Sequence, residues 1–219
     1  MANRLALIAL VVLGAVLAAV FFFWPERVAI SNAPEPPTLE TGAAPGTASG
    51  APGPYLVLDV AGEAAGEVVI DLNEEAAPQH AGRMATLAEE GAYDDVVFHR
   101  VIDGFMAQTG DVEFGKVGGD MRRAGSGGSQ MPDLAAEFSS IPFDRGVVGM
   151  ARSQSPDSAN SQFFITFAPA PHLDGQYTVV GEVVEGMDVV DAIKRGEGGN
   201  GAVTGEPDRI VSAEVQQER

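Results

Sequence analysis

The hexamer Val97-Phe98-His99-Arg100-Val101-Ile102 sets one arginine among apolar side chains. Side chains alternate across a strand, so period 2 puts Phe98, Arg100 and Ile102 on one face and His99 on the other. A guanidinium between apolar neighbours is costly to bury without partners. Such an arginine either pairs with a carboxylate at a strand edge or lines a pocket. The next run, Phe105-Met106-Ala107-Gln108, follows an Asp103-Gly104 turn and carries Met106 and Gln108 on one face. In Gln162-Phe163-Phe164-Ile165, the same rule joins Gln162 to Phe164 and leaves Phe163 and Ile165 opposite. An arginine, two glutamines and large apolar groups describe a pocket with a few placed polar groups. What such a face offers a ligand is hydrogen bonding and positive charge.

Other candidate chemistry is sparse. His80, His99 and His172 stand at no metal-ligand spacing, and the chain has no cysteine to support them, so neither a metal nor a cofactor is expected. Gly125-Ser126-Gly127-Gly128-Ser129 lacks the Lys-Ser/Thr ending of a phosphate loop and is expected to be a flexible surface loop. The stretch 196–205, with its Asn200-Gly201 turn, is expected to be another.

The candidate pocket needs strands to carry it. Runs 55–60 and 67–72 flank a glycine-containing turn and predict a hairpin. Further strands are predicted at 96–102, 105–109, 146–151, 162–167 and 178–183. Ala81, Met84, Ala85 and Ala88 recur at helical spacing, with Pro78 suited to a first turn, and predict a helix over 78–90. A shorter helix is predicted over 187–194, carrying Val189, Val190 and Ile193. Many short strands with two helices imply a mainly β fold, an antiparallel barrel or sandwich with helices over its open ends.

The segment from Phe98 to Asp111 resembles the signature of the cyclophilins. So do Gly149-Met150-Ala151-Arg152, Ser161-Gln162-Phe163-Phe164-Ile165 and Leu173-Asp174-Gly175, in the family's order and spacing. The resemblance covers about 160 residues. It implies an eight-stranded antiparallel barrel capped by two α-helices and an enzyme, a peptidyl-prolyl cis-trans isomerase. It also implies that Arg100 is the catalytic arginine and that Phe105, Met106, Phe164 and Leu173 wall a proline pocket. Gln108 and Gln162 match polar groups near the substrate backbone. Ala151 and Arg152 match the segment whose backbone holds the peptide. His172 stands where tryptophan is frequent and Tyr177 where histidine is common, and both are expected to line the pocket. The implied partners are proline-containing peptides and unfolded protein clients, met by a monomer. The alternative is a non-catalytic, membrane-tethered module that binds proline peptides or serves assembly.

The remainder of the chain says where such a domain would act. Residues 5–24 form 20 consecutive uncharged, nearly all apolar residues, enough to span a hydrocarbon core about 30 Å thick. Arg4 precedes the run, while Glu26 and Arg27 cancel after it, so a cytoplasmic N-terminus and an exported remainder are expected. Residues 1–24 therefore read as a signal-anchor helix, with a cleaved signal peptide as the competing assignment. Residues 25–54 alternate proline with Ala, Gly, Ser and Thr and read as a linker. The folded domain is expected over 55–219, on the periplasmic or extracellular side of the cytoplasmic membrane. Of 31 acidic and 13 basic residues, 28 and 11 fall after residue 54, a net charge of −17 there. A surface so acidic repels nucleic acid and is expected to disfavour acidic clients.

Overall fold

The computed structural model describes residues 53–219. The span expected at 1–24, and the expected linker up to residue 52, lie outside the described residues. Among the described residues no helix is long and apolar enough to cross a membrane.

Strands β1 (Tyr55–Ala61) and β2 (Gly66–Leu72) form the expected hairpin, with Leu56 opposite Ile70 and Leu58 opposite Val68. Helix α1 (Pro78–Glu89) follows, then β3 (Arg100–Ile102), β4 (Met106–Thr109), β5 (Val147–Met150) and β6 (Phe163–Thr166). A 3-10 turn, Pro171–Leu173, leads to β7 (Val179–Glu185), α2 (Met187–Ala192) and β8 (Arg209–Gln216). The eight strands make one antiparallel sheet in the order β3-β4-β6-β5-β7-β2-β1-β8. Residues 96–98 reach from β3 to the far edge, where Phe98 N donates to Asp208 O and Ile210 N to Val96 O. That link draws the two ends together, so the sheet curls into a half-barrel. Mainly β architecture, eight antiparallel strands and two helices are thus as expected.

The pleat sorts side chains into two cores. Ala107, Val148, Phe163, Ile165 and Val180 point into the main core, where they meet Leu56, Leu58 and Ile70. Their neighbours Met106, Val147, Phe164 and Val179 point the other way and pack with Phe143, Ala170 and Leu173. Helix α1 adds Ala81, Met84, Leu87 and Ala88 to the main core. It has no side-chain cap of its own; the Glu137 carboxylate accepts from the Gln79 and His80 N–H groups instead, at 3.2 and 3.1 Å. That satisfies orphan donors and places negative charge at the positive end of the helix.

Two expectations need correction. The strand predicted at 96–102 is regular only from Arg100 to Ile102, because the backbone of 96–98 bonds to that of Gly115, Asp208 and Ile210 rather than to the backbone of β4. Phe98 consequently leaves the Arg100 face and packs in the main core with Val101. No strand was predicted near the C-terminus, yet β8 pairs with β1 along nearly its whole length. In RIVSAEVQ only Ile210 and Ala213 are buried, a weak apolar signal.

Candidate active site

The second core opens on one side of the sheet. Register sets Arg100 opposite Gln108, Gln108 opposite Phe164, and Phe164 opposite Gly149. One cross-strand row therefore carries the arginine, a glutamine and an aromatic ring. Ile102 and Met106 form the adjacent row. Gly149 completes the first row because nothing larger fits: a Cβ there would lie 2.5 Å from Phe164 Cζ and 2.6 Å from Phe143 Cε1. Phe143 and Phe164 stack over it, with ring centroids 5.7 Å apart.

A cavity of about 310 Å³ sits on this row. It is lined by Arg100, Phe105, Met106, Gln108, Ala151, Arg152, Phe164, His172, Leu173 and Tyr177. Of the eleven residues that the resemblance assigned to the site, Gln162 alone does not line it. Gln162 lines an adjoining cavity of about 470 Å³, which shares Gln108, Ala151 and Arg152 with the first. Met106, Phe164 and Leu173 are nearly inaccessible and form the floor. Phe105 rests against His172 at a centroid distance of 5.2 Å, and Tyr177 meets Phe164 edge-on at 5.8 Å.

Arg100 is held from two sides. Its Nε donates to the Asn200 carbonyl at 2.9 Å, and its Nη1 donates to Gln108 Oε1 at 3.1 Å and lies 3.9 Å from Met106 Sδ. No described residue bonds its Nη2, and no carboxylate pairs with it among the described residues, so donors remain for a ligand. Burial pulls its pKa down from the ordinary guanidinium value.

The hydrogen bonds continue inward. Gln108 Nε2 donates to Gln162 Oε1 at 3.0 Å, and Gln162 Nε2 donates to Gly127 O at 2.8 Å. The 125–127 turn is itself pinned: the buried Asp111 carboxylate accepts from Gly125 and Gly127 N–H groups at 2.7 and 3.0 Å. Its other oxygen accepts from Glu113 and Phe114 at 3.1 and 2.9 Å. The glycine-rich segment expected to be a flexible surface loop is therefore tied to a buried charge and to the pocket. The 196–205 stretch is likewise packed onto β3, with Val101 N donating to Gly201 O at 2.7 Å.

His99 lies behind the arginine with both ring nitrogens buried and unpartnered among the described residues. Burial, with the Arg100 cation adding to it against the opposing pull of Asp111, pushes its pKa down to about 4. The imidazole is neutral at physiological pH. Among the described residues no cluster of three or more His, Asp or Glu is arranged to hold a metal.

Two contributors carried no functional signal in the sequence, the Asn200 carbonyl and Phe143 behind Phe164; Asp111 beneath the loop closed the signature segment, but with no role of its own assigned to it. The Asn200-Gly201 turn was legible, but not the strand it would touch.

A family model described as "Cyclophilin type peptidyl-prolyl cis-trans isomerase/CLD" matches residues 56–215. A Brucella suis protein named "Probable peptidyl-prolyl cis-trans isomerase" is 59% identical over 154 residues, 69% of this chain and 78% of that one. An Aspergillus fumigatus "Peptidyl-prolyl cis-trans isomerase-like 1" is 40% identical over 129 residues, 57% of this chain and 74% of its own. Among solved structures, a cyclophilin from Hirschia baltica superposes with a TM-score of 0.59 at 25% identity, over 73% of this chain and 72% of that one. A cyclophilin type isomerase of Cryptosporidium parvum, crystallised in the presence of the dipeptide Ala-Pro, shares the fold with a TM-score of 0.62 at 22% identity, over 75% and 99%.

Proposed function

The chain belongs to the cyclophilin-type peptidyl-prolyl cis-trans isomerases, and on that premise we propose that Arg100 is the catalytic group and the cavity beside it the proline pocket. The observation that carries this assignment is the arginine itself: held at Nε and Nη1, without a carboxylate partner among the described residues, it borders a cavity floored by Met106, Phe164 and Leu173.

Rotation about an X-Pro bond meets a barrier of about 18–20 kcal/mol, because amide resonance resists it. No covalent bond is made or broken. The barrier falls when the enzyme prefers the twisted, pyramidal amide to the planar one. The apolar floor grips the pyrrolidine ring. Arg100 donates to the prolyl nitrogen as its lone pair localises, and holds the preceding carbonyl. A pre-positioned guanidinium in a partly dry site suits this electrostatic task. An acceleration of about 10⁵-fold corresponds to about 7 kcal/mol. Gln108 and Gln162 face the substrate backbone, Ala151 and Arg152 hold the peptide along the rim, and His172 and Tyr177 close the pocket mouth.

The physiological setting we infer is folding of exported proteins, with the domain held outside the cytoplasmic membrane by residues 1–24. The 20-residue apolar run and Arg4 before it support that placement. Protease treatment of spheroplasts that removes the domain while leaving cytoplasmic markers intact is the expected result.

The deciding experiment follows cis-trans exchange of an Ala-Pro peptide by NMR with the full-length chain and with Arg100→Ala. The substitution is expected to lower kcat/KM by about 10²–10³-fold, as for loss of one key electrostatic donor. A wild-type protein that binds the peptide but leaves exchange at its uncatalysed rate would be a binding module.

A further inference from the structure

The charges around the proline cavity run against those of the protein. Residues after 54 carry a net charge of −17. Most described arginines elsewhere reflect this: Arg145 pairs with Asp191, Arg195 with Asp103 and Arg209 with Asp95, whereas Arg83 bonds the Pro132 carbonyl and Arg123 lies over the Phe114 ring. The two arginines lining the proline cavity, Arg100 and Arg152, have no carboxylate partner among the described residues, and no carboxylate lines that cavity.

Arg152 is nonetheless held in place by backbone carbonyls and a ring. Its Nε and Nη2 both donate to Gln176 O, at 3.2 and 2.8 Å, and its Nη1 donates to Ser153 O at 2.9 Å and Gln154 O at 3.4 Å. Its guanidinium carbon lies 4.4 Å from the Tyr177 ring centroid. Backbone carbonyls and an aromatic face orient the group without cancelling its charge. A guanidinium has five N–H donors, so one on Arg152 and the two on Arg100 Nη2 stay unspent among the described residues.

The geometry points to a substrate class: X-Pro segments in which a residue next to the proline carries a carboxylate. This inference rests on the isomerase reading of the same cavity. A glutamate or aspartate beside a seated proline comes within the field of both arginines, and a guanidinium fork matches a carboxylate better than any neutral partner. The preference is confined to the neighbouring residue, because the adjoining cavity, beyond Ala151 and Arg152, carries the Asp133 carboxylate. Asn160 Nδ2 holds Asp133 in place with a bond of 2.9 Å. Acidity farther along the peptide therefore meets repulsion. The acidic surface as a whole repels acidic clients at long range, and salt screens that repulsion; the site selects among the peptides that arrive.

The test measures kcat/KM by NMR exchange with the full-length chain on four N-acetylated, C-amidated peptides: Ala-Glu-Pro-Ala and Ala-Gln-Pro-Ala, then Ala-Ala-Pro-Glu and Ala-Ala-Pro-Gln. Glutamate is expected to exceed glutamine by about 3- to 10-fold at one of the two positions, the size of a partly exposed charge-assisted contact. That ratio is expected to shrink in Arg152→Gln, where the Arg100 charge alone remains, and to shrink with added salt in the wild type. Ratios at or below unity at both positions, or a ratio unchanged in Arg152→Gln, overturn the selectivity while leaving the isomerase reading intact. Exchange of all four peptides at the uncatalysed rate overturns both.

Discussion

Gln108 stands between Arg100 and Gln162 with each end of its carboxamide committed: Oε1 accepts from Arg100 Nη1 at 3.1 Å and Nε2 donates to Gln162 Oε1 at 3.0 Å. Because an amide has one accepting and one donating end, the arginine on one side and the glutamine on the other fix its orientation. The same bond turns the guanidinium, since Nη1 is spent on Gln108 and Nη2 is left without a partner among the described residues. Arg100 is thus aimed by a neutral neighbour that leaves its charge uncompensated.

Gln108→Leu removes that aim without altering charge. A hydrogen bond to a charged group contributes about 1.5–3 kcal/mol. We expect kcat/KM on a neutral X-Pro peptide to fall by roughly 10- to 100-fold, with most of the change in kcat. An unchanged kcat in an exchange measurement would mean that Asn200 alone positions Arg100.

Gly149→Ala tests the pocket floor. The new methyl would collide with the Phe143 and Phe164 rings at 2.6 and 2.5 Å. Overpacking of this kind destabilises by about 1–3 kcal/mol. Denaturant midpoints are expected to fall accordingly, and KM to rise because Phe164 is displaced into the cavity. A normal KM with lowered stability would show that the ring yields away from the site.

Asp111→Ala strips acceptors from four backbone N–H groups around a buried site. Leaving buried donors unsatisfied costs about 1–3 kcal/mol each at most, and water entering the gap recovers part of it. We expect a fall in stability of roughly 2–4 kcal/mol. Hydrogen exchange should accelerate at Gly125 and Gly127 before it does in the strands. Uniform acceleration throughout would place Asp111 in global stability instead of loop positioning.

His99 gives the fold a pH dependence. Its pKa lies near 4 in the folded protein and near 6.5 in an unfolded chain. Between those values the unfolded chain binds a proton that the folded protein refuses. Stability therefore rises with pH through this window and is lost as pH falls from about 6.5 to 4. At 1.36 kcal/mol per pH unit the loss is about 3 kcal/mol. Urea unfolding across that range should show it, and His99→Leu should flatten the slope by that amount. An equal slope in both proteins would assign the acid sensitivity to other groups; Glu137 contributes only once the pH falls below the ordinary carboxyl range. Burial raises the Glu137 pKa, but the hydrogen bonds from His80 and the α1 N-terminus outweigh it and hold the carboxyl below its ordinary value.

The sequence by itself determined which side chains share a face on β4 and β6. Alternation is a local property of an extended backbone, so Met106 with Gln108, and Gln162 with Phe164, could be paired before any strand was placed. The hairpin of β1 and β2 and helix α1 were legible for the same reason, and motif order joined Arg100 to the apolar residues that surround it. Only the tertiary structure decided that Phe98 turns away from Arg100, because 96–98 bond to distant segments and the pleat breaks there. It likewise decided that β8 closes against β1, and that the carbonyls of Asn200 and Gly127 anchor the site. Every residue carries a carbonyl, so the choice of one acceptor 100 residues from its donor leaves no mark on residue type or spacing. The uncompensated charge of Arg100 and Arg152 is of the same kind: it depends on where 28 carboxylates come to rest in space, and composition records only how many there are.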